Sequence, residues 1–231
     1  PPDSNTPQPV PAPQAVRVAL PSSAPYVTYA IIGVSVLFYL LQLATEAFLQ
    51  YDIPVLLFIK SNELIRSGQV WRLLTPALLH GSLAHIGFNM YALFSFGTNL
   101  ERHFGHGRFL LLYVLGAFTG NVASFIMTDA NSLGASTAIF GLLAAEGVFL
   151  YQNRKLFAGQ FRSAIGNIIF IAAINLFLIG SMPGIDNWGH IGGLLGGLAF
   201  TWFAGPLWDV ESALVGGFRL VDRRPRSEVM I

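Results

Sequence analysis

The chain has 231 residues, no cysteine, 53% hydrophobic and 11% charged residues, a net charge of +1 and a mean hydropathy of +0.57. So few charges cannot cover a water-soluble globule, in which about 25% is usual, and so apolar a chain does not stay disordered. The charge balance argues against nucleic acid as the main partner, the missing cysteines exclude disulfides, thiol catalysis and cysteine-ligated metals, and a protein solvated by a lipid bilayer remains.

Eight of the thirteen prolines lie within residues 1–25. This stretch reads as a disordered, Pro-rich N-terminal tail. It has no basic start followed by an apolar centre, so it does not read as a signal peptide. Beyond it the charges fall in clusters separated by long apolar gaps. The gaps predict six membrane spans, at about 26–45, 82–100, 109–128, 136–153, 163–181 and 188–205. Each can hold a helix of about 20 residues. None alternates with period two, so a barrel is not expected, and backbone groups in lipid must then pair within helices. The expected fold is all-α, a polytopic six-helix membrane domain over 26–205 followed by a polar, basic C-terminal tail over 206–231, loose or surface-bound. No internal repeat is visible, which argues against a transporter built from duplicated halves. The segment 46–81 is half apolar (Ile53 to Ile59) but interrupted, and is expected to lie in the interface beside the bundle.

Ten of the thirteen Lys and Arg residues fall on one side of this topology. The positive-inside rule then places both termini in the cytoplasm. The expected location is a multi-pass integral membrane protein, in the plasma (inner) membrane if the cell is bacterial.

Polar side chains inside spans are costly and mark function. They cluster at the starts of the second, fourth and sixth spans. The second opens with His80, His85 and Asn89, the fourth with Gly134-Ala135-Ser136-Thr137, and the sixth with Asn187-Trp188-Gly189-His190. These three spans run in one direction, so the groups share one depth, just below the outer face. His85 and Asn89, four apart, share a helix face. Gly189, Gly193 and Gly197 form a stripe, and Gly134 and Gly141 flank Ser136. Small residues let membrane helices approach closely.

A hydroxyl, two imidazoles and a carboxamide at one level suit acyl transfer. Serine attacks once a base takes its proton, and a neutral His190 can take it. The oxyanion needs donors. Candidates are the Ser136 backbone N–H, Asn89 and His85. Ser136 near a helix N-terminus also gains from the helix dipole. No acid obviously pairs with His190, so the pattern is a dyad. Phe140, one turn after Ser136, can hold the imidazole by stacking. Glu146 lies too far down the helix to take part and has no evident partner. Asn121 and Asn175 read as interhelical hydrogen bonders. A metal site built on His80, His85 and His190 is disfavoured, because the first two are five apart and no acid stands between them. Neither a metal nor a cofactor is implied.

At these positions the sequence resembles the rhomboid intramembrane serine proteases over about residues 26–205. The motifs are Trp71-Arg72, His85-x-x-x-Asn89, Glu101, Gly134-x-Ser136 with Phe140-Gly141, and His190-x-x-Gly193-x-x-x-Gly197. The resemblance implies a six-helix bundle with a membrane-embedded loop carrying Trp71-Arg72. It implies Ser136 as nucleophile, His190 as base, and His85 and Asn89 lining an oxyanion hole. It also implies cleavage of transmembrane protein substrates near the outer membrane face. One departure is Thr137, where the family usually has glycine. A β-branched residue there narrows local space and keeps open an alternative, a catalytically weak or inactive relative that binds transmembrane clients. The sequence leaves the oligomeric state open.

Overall fold

A computed structural model describes residues 23–157, 159–212 and 218–224. The Pro-rich stretch 1–22 lies outside the described residues. The chain is mostly helical. Helix α1 (Tyr26–Leu49) is followed by two short helices, α2 (Ile53–Phe58) and α3 (Asn62–Arg66), and two 3₁₀ turns (Val70–Leu73, Thr75–Leu78). Helix α4 (Leu83–Ala92) runs through a π turn (Leu93–Gly97) into α5 (Thr98–Phe104). Then come α6 (His106–Met127), α7 (Ser136–Gln152), α8 (Phe161–Ala173) with a second π turn (Ile174–Ile179), and α9 (Asn187–Ala204). Each of the six apolar stretches expected from the charge gaps is occupied by helix. Three of these helices, Tyr26–Leu49, His106–Met127 and Phe161–Ile179, are long and apolar enough to cross a membrane.

α7 is the centre of the structure. Eleven of its residues are buried, and Ala138, Ile139, Leu142, Ala145 and Phe149 join Leu100, Phe104, Phe109, Leu112 and Ala117 in the core. α9 lies in the notch between α6 and α7, and its glycines face two partners. A Cβ at Gly193 or Gly197 would overlap the α7 carbonyls of Thr137 or Gly141, and one at Gly192 or Gly196 would overlap Ala123 or Thr119 on α6. The stripe thus brings backbone against backbone, the packing that drives helix association where apolar burial gives no advantage.

α1 is patterned inside out. Its buried residues are Thr28, Ser35 and Gln42, spaced by seven, while Leu37, Leu40, Leu41 and Leu43 are exposed. That pattern suits a lipid solvent, in which polar groups seek the protein. The Glu101 carboxylate accepts from Val27 N–H, Thr28 N–H and the Thr28 hydroxyl at 2.8, 2.7 and 2.7 Å. An acid at a helix N-terminus satisfies orphan donors and opposes the positive end of the helix dipole. At the other end of α1, Gln42 bonds both the His80 carbonyl and the His80 N–H.

The segment 50–82 is tied down by buried polar groups. Fully buried Lys60 donates to the carbonyls of Ser124, Thr128 and Ala130, and Asn62 donates to those of Phe125 and Thr128. The pair satisfies the C-terminal carbonyls of α6, where a cation is favoured by the dipole. Lys60 also exchanges backbone hydrogen bonds with Ser132, in the loop that leads to Ser136. Burial lowers the Lys60 ammonium below its ordinary range, against the opposing pull of Asp186 and Asp129. Arg72 donates to the carbonyls of Ile59 and Leu56 and to the Gln69 side chain, and Trp71 Nε1 donates to Leu57 O. Both residues of the Trp71-Arg72 motif hold this segment's shape.

His80, in the same segment, is buried, and its two ring nitrogens have no partner among the described residues. Burial, with His85 adding to it and the nearby Leu78 backbone opposing, pushes its imidazole from 6.5 down to about 4. The folded chain keeps it neutral, whereas the unfolded chain protonates it near its ordinary value. Its contribution to stability is therefore complete above pH 6.5 and is lost as pH falls towards 4. His80→Phe is expected to lose less stability than wild type across that interval in thermal unfolding. Parallel pH curves for the two proteins would contradict this.

Three expectations are corrected. The tail, expected to be loose or surface-bound, carries a β-hairpin in its described residues, so the fold is not wholly α. β1 (Trp208–Ser212) pairs antiparallel with β2 (Phe218–Asp222), Trp208 facing Asp222. The hairpin is bonded to helix ends. Asp222 accepts from Leu207 N–H, Arg224 N–H and, at 2.6 Å, from buried Arg108 of α6, which also bonds the Arg224 carbonyl. Asn153, following α7, donates to Pro206 O and accepts from Trp208 N–H. Next, Asn121 and Asn175 donate to Ala117 O and Ile171 O of their own helices rather than across helices. Finally, Glu146 does have a partner, because Asn99 Nδ2 donates to it at 2.8 Å.

Candidate active site

Three helix starts converge. Ser82 caps α4, its hydroxyl accepting from His85 N–H at 3.1 Å, and this fixes the turn that carries His85 and Asn89. α7 begins at Ser136 itself. Just before it, Gly134 adopts φ +131°, a left-handed value that favours glycine, and donates its N–H to Pro76 O at 2.9 Å. A Cβ on Gly134 would lie 2.7 Å from His85 Nε2 and 3.7 Å from Asn89 Nδ2. The glycine is therefore what lets the serine loop lie against those two side chains. α9 is capped by Asp186 and carries His190 one turn in.

The Ser136 hydroxyl and His190 Nε2 are 2.9 Å apart. The Phe140 ring lies under the imidazole, nearly parallel at 7°, with centroids 4.2 Å apart. His190 Nδ1 has no partner among the described residues. In the arrangement where the serine O–H donates to Nε2, the ring proton sits on Nδ1. Stacking and the packed glycine face of α9 hold this ring, in place of an acid bonded to Nδ1.

A cleft of about 730 Å³ opens over the pair. Its lining includes His85, Asn89, Ser136, Phe140, Asp186 and His190. Asn89 Nδ2 is buried without a partner, a donor with unused capacity beside the serine. The Gly81 N–H donates to His85 Nδ1 at 3.4 Å, which leaves Nε2 as the protonated nitrogen. Phe88, Tyr91, Ala92 and Phe96 of the α4 limb form one wall, and Ile171, Asn175 and Ile179 of the α8 limb form the other. α8 and its π turn bury none of their residues.

The structure thus brings together Ser136, His190, His85, Asn89, Phe140 and Gly134. Gly193 does not line the cleft. It packs on the Thr137 backbone one turn beyond His190 and fixes the height of α9 on α7. His80 lies behind His85, with ring centroids 5.2 Å apart, and does not line the cleft either. Thr137 does not narrow the cleft. A Cβ at Gly120 would lie 2.6 Å from Thr137 Cβ, and one at Gly189 would lie 3.0 Å from its methyl. Two glycines therefore leave room for the residue that departs from the usual pattern. The residue missed in the sequence was Asp186. An aspartate just ahead of an apolar run is a helix-start signal, but the residue's place at the cleft depended on the loop before it. Among the described residues no group of three or more His, Cys, Asp or Glu is arranged to hold a metal ion.

Comparison with known proteins gives the same direction. The family model described as "Rhomboid domain" matches residues 67–207. Rhomboid protease GluP of Bacillus subtilis (strain 168) is 44% identical over 173 residues, covering 75% of this chain and 34% of that protein. Two Arabidopsis thaliana proteins are also similar. RHOMBOID-like protein 9, chloroplastic, is 32% identical over 162 residues, covering 70% of this chain and 37% of its own length. RHOMBOID-like protein 1 is 39% identical over 145 residues, covering 62% and 37%. The chain thus spans about a third of the length of these relatives. The matched region contains all of the cleft lining except Ile59, both members of the serine–histidine pair and the glycine face of α9, and with its long apolar helices the chain is an integral membrane protein that belongs to the rhomboid family.

Proposed function

We propose that this chain is an intramembrane serine endopeptidase that cleaves transmembrane proteins, with Ser136 as nucleophile and His190 as general base. The observation that carries this reading is the 2.9 Å separation of the Ser136 hydroxyl and His190 Nε2 inside a cleft. The serine oxygen attacks the scissile carbonyl as its proton passes to Nε2. The imidazolium then gives that proton to the leaving amine, and water repeats the sequence to release the acyl group. The Ser136 N–H, which opens α7 and has no acceptor within the helix, is one donor for the oxyanion. Asn89 Nδ2 and His85 Nε2 are the others.

The six helices are read as six spans with both termini in the cytoplasm, which puts the cleft near the outer face. Water then reaches it from that side, and a substrate helix comes in between the α4 and α8 limbs. The bond to be cut must leave its helix first, so small or helix-breaking residues near it favour cleavage. The alternative, a member that only retains clients, rested on Thr137, whose side chain lies away from the cleft.

The test is cleavage in proteoliposomes. The purified chain is expected to cut a single-span substrate with a destabilised helix near its outer boundary, and chelators should leave the rate unchanged. Absence of cleavage across a panel of such substrates, or loss of activity to chelators, contradicts the proposal.

A further inference from the structure

The residue before α9 has one oxygen more than a cap needs. Asp186 Oδ1 accepts from Gly189 N–H at 2.9 Å, and the Asp186 carbonyl accepts from His190 N–H at 3.1 Å. Those bonds complete the first turn of the helix. Asp186 Oδ2 is shut off from solvent and has no hydrogen-bond partner among the described residues. A Cβ at Gly189 would lie 2.8 Å from Oδ2, so it is glycine at this position that lets the carboxylate fold back over the helix start. Asp186 and His190 line the same cleft.

The other charged or titratable groups near the imidazole are few. α4 contributes His85, and α7 contributes Ser136. α6 meets α9 through Thr119, Gly120 and Ala123, none of them charged. Lys60, from the segment before α4, is close enough to feel the Asp186 charge, but its ammonium is already shared among three carbonyls. Among the described residues Asp186 is thus the anion of this neighbourhood, set one turn before His190 and aligned by the same helix start.

We propose that Asp186 is a positioning residue for the reaction. It fixes the first turn that carries His190, and its carboxylate opposes the positive charge that appears on the imidazole between taking the serine proton and passing it to the leaving amine. The carboxylate itself takes no proton. This inference rests on the Ser136–His190 reading and supplies the acidic member that the dyad lacks, acting through the field of the helix start and without a bond to Nδ1. A preorganised charge at a site where charge develops acts on the transition state and leaves substrate binding alone.

Substitution separates the two tasks. Asparagine caps a helix about as well as aspartate but carries no charge. In proteoliposomes, Asp186→Asn is expected to keep the wild-type unfolding temperature and KM while kcat falls about tenfold. Asp186→Ala should lose kcat and unfolding temperature together. Wild-type kcat in Asp186→Asn overturns the proposal, as does a loss of kcat in Asp186→Asn that only tracks a lowered unfolding temperature. A Ser136→Ala control, run alongside, identifies which reading has failed. If Ser136→Ala cleaves like wild type, the serine mechanism falls and takes this inference with it. If Ser136→Ala is inactive and Asp186→Asn is fully active, only the role of Asp186 falls.

Discussion

Ser136→Ala and His190→Ala are each expected to remove cleavage by at least about 10³-fold, and the double variant to be no worse than either. The reason is the single hydrogen bond between them. Without the imidazole the serine hydroxyl keeps its proton, and without the hydroxyl the imidazole has nothing to activate. Groups that act as one unit show this strong non-additivity, whereas independent contributions would multiply. Neither substitution should disturb the fold much. Ser136 is only partly buried, and the ring stacking lost with His190 is worth about 1 kcal/mol. Rates of substrate cleavage for the three variants, with unfolding temperatures measured on the same samples, check this. Residual activities that multiply, or substantial cleavage by Ser136→Ala, would contradict it.

Gly193→Ala is the second substitution expected to have a large effect, although it adds one methyl group. The added Cβ would overlap the Thr137 carbonyl and come within 2.9 Å of the Thr137 carbonyl carbon. The obstacle is backbone in the core helix, so no side chain can swing aside and α9 must move. Overpacking of this kind costs about 1–3 kcal/mol or more. The displacement acts on both members of the proposed pair, since Thr137 follows Ser136 and Gly193 lies three residues after His190. A shift of about 1 Å in a reacting pair can cost about 10²-fold in rate. Gly166→Ala in α8, where an added Cβ meets nothing within 4 Å, is the control and should be neutral or slightly stabilising. Equal behaviour of the two alanine variants in thermal unfolding and in cleavage would show that the helix contact is looser than the structure has it.

Much of this architecture could be read from the residues because lipid imposes simple rules. Long gaps between charges marked the helices, and serine, histidine and asparagine stood out where polar side chains are costly. The proximity of the proposed pair was legible for the same reason, since Ser136 and His190 sit in glycine-rich helix starts that cannot be explained by apolar packing alone. Less visible was everything that depends on where a loop folds back. Lys60 looked like one of a few scattered charges, yet it is buried on the last carbonyls of α6. Glu146 lacked a partner until the α4–α5 limb brought Asn99 beside it. Asn121 and Asn175 had a second way to satisfy themselves, the carbonyl four residues back on their own helices, and sequence does not distinguish the two. The hairpin did leave a trace in the alternation Trp208-Asp209-Val210-Glu211. It is also bonded to Arg108 and Asn153, far away in the chain. The two π turns have no proline to announce them.

The most direct measurement is covalent. A fluorophosphonate probe reacts only with a serine whose proton a neighbouring base can take. Incubated with the folded chain in bilayers and mapped by mass spectrometry, the probe is expected on Ser136. Labelling should vanish in Ser136→Ala and fall sharply in His190→Ala. A wild-type chain that stays unlabelled while folded, or one labelled equally well without His190, would contradict a histidine-activated serine at this site.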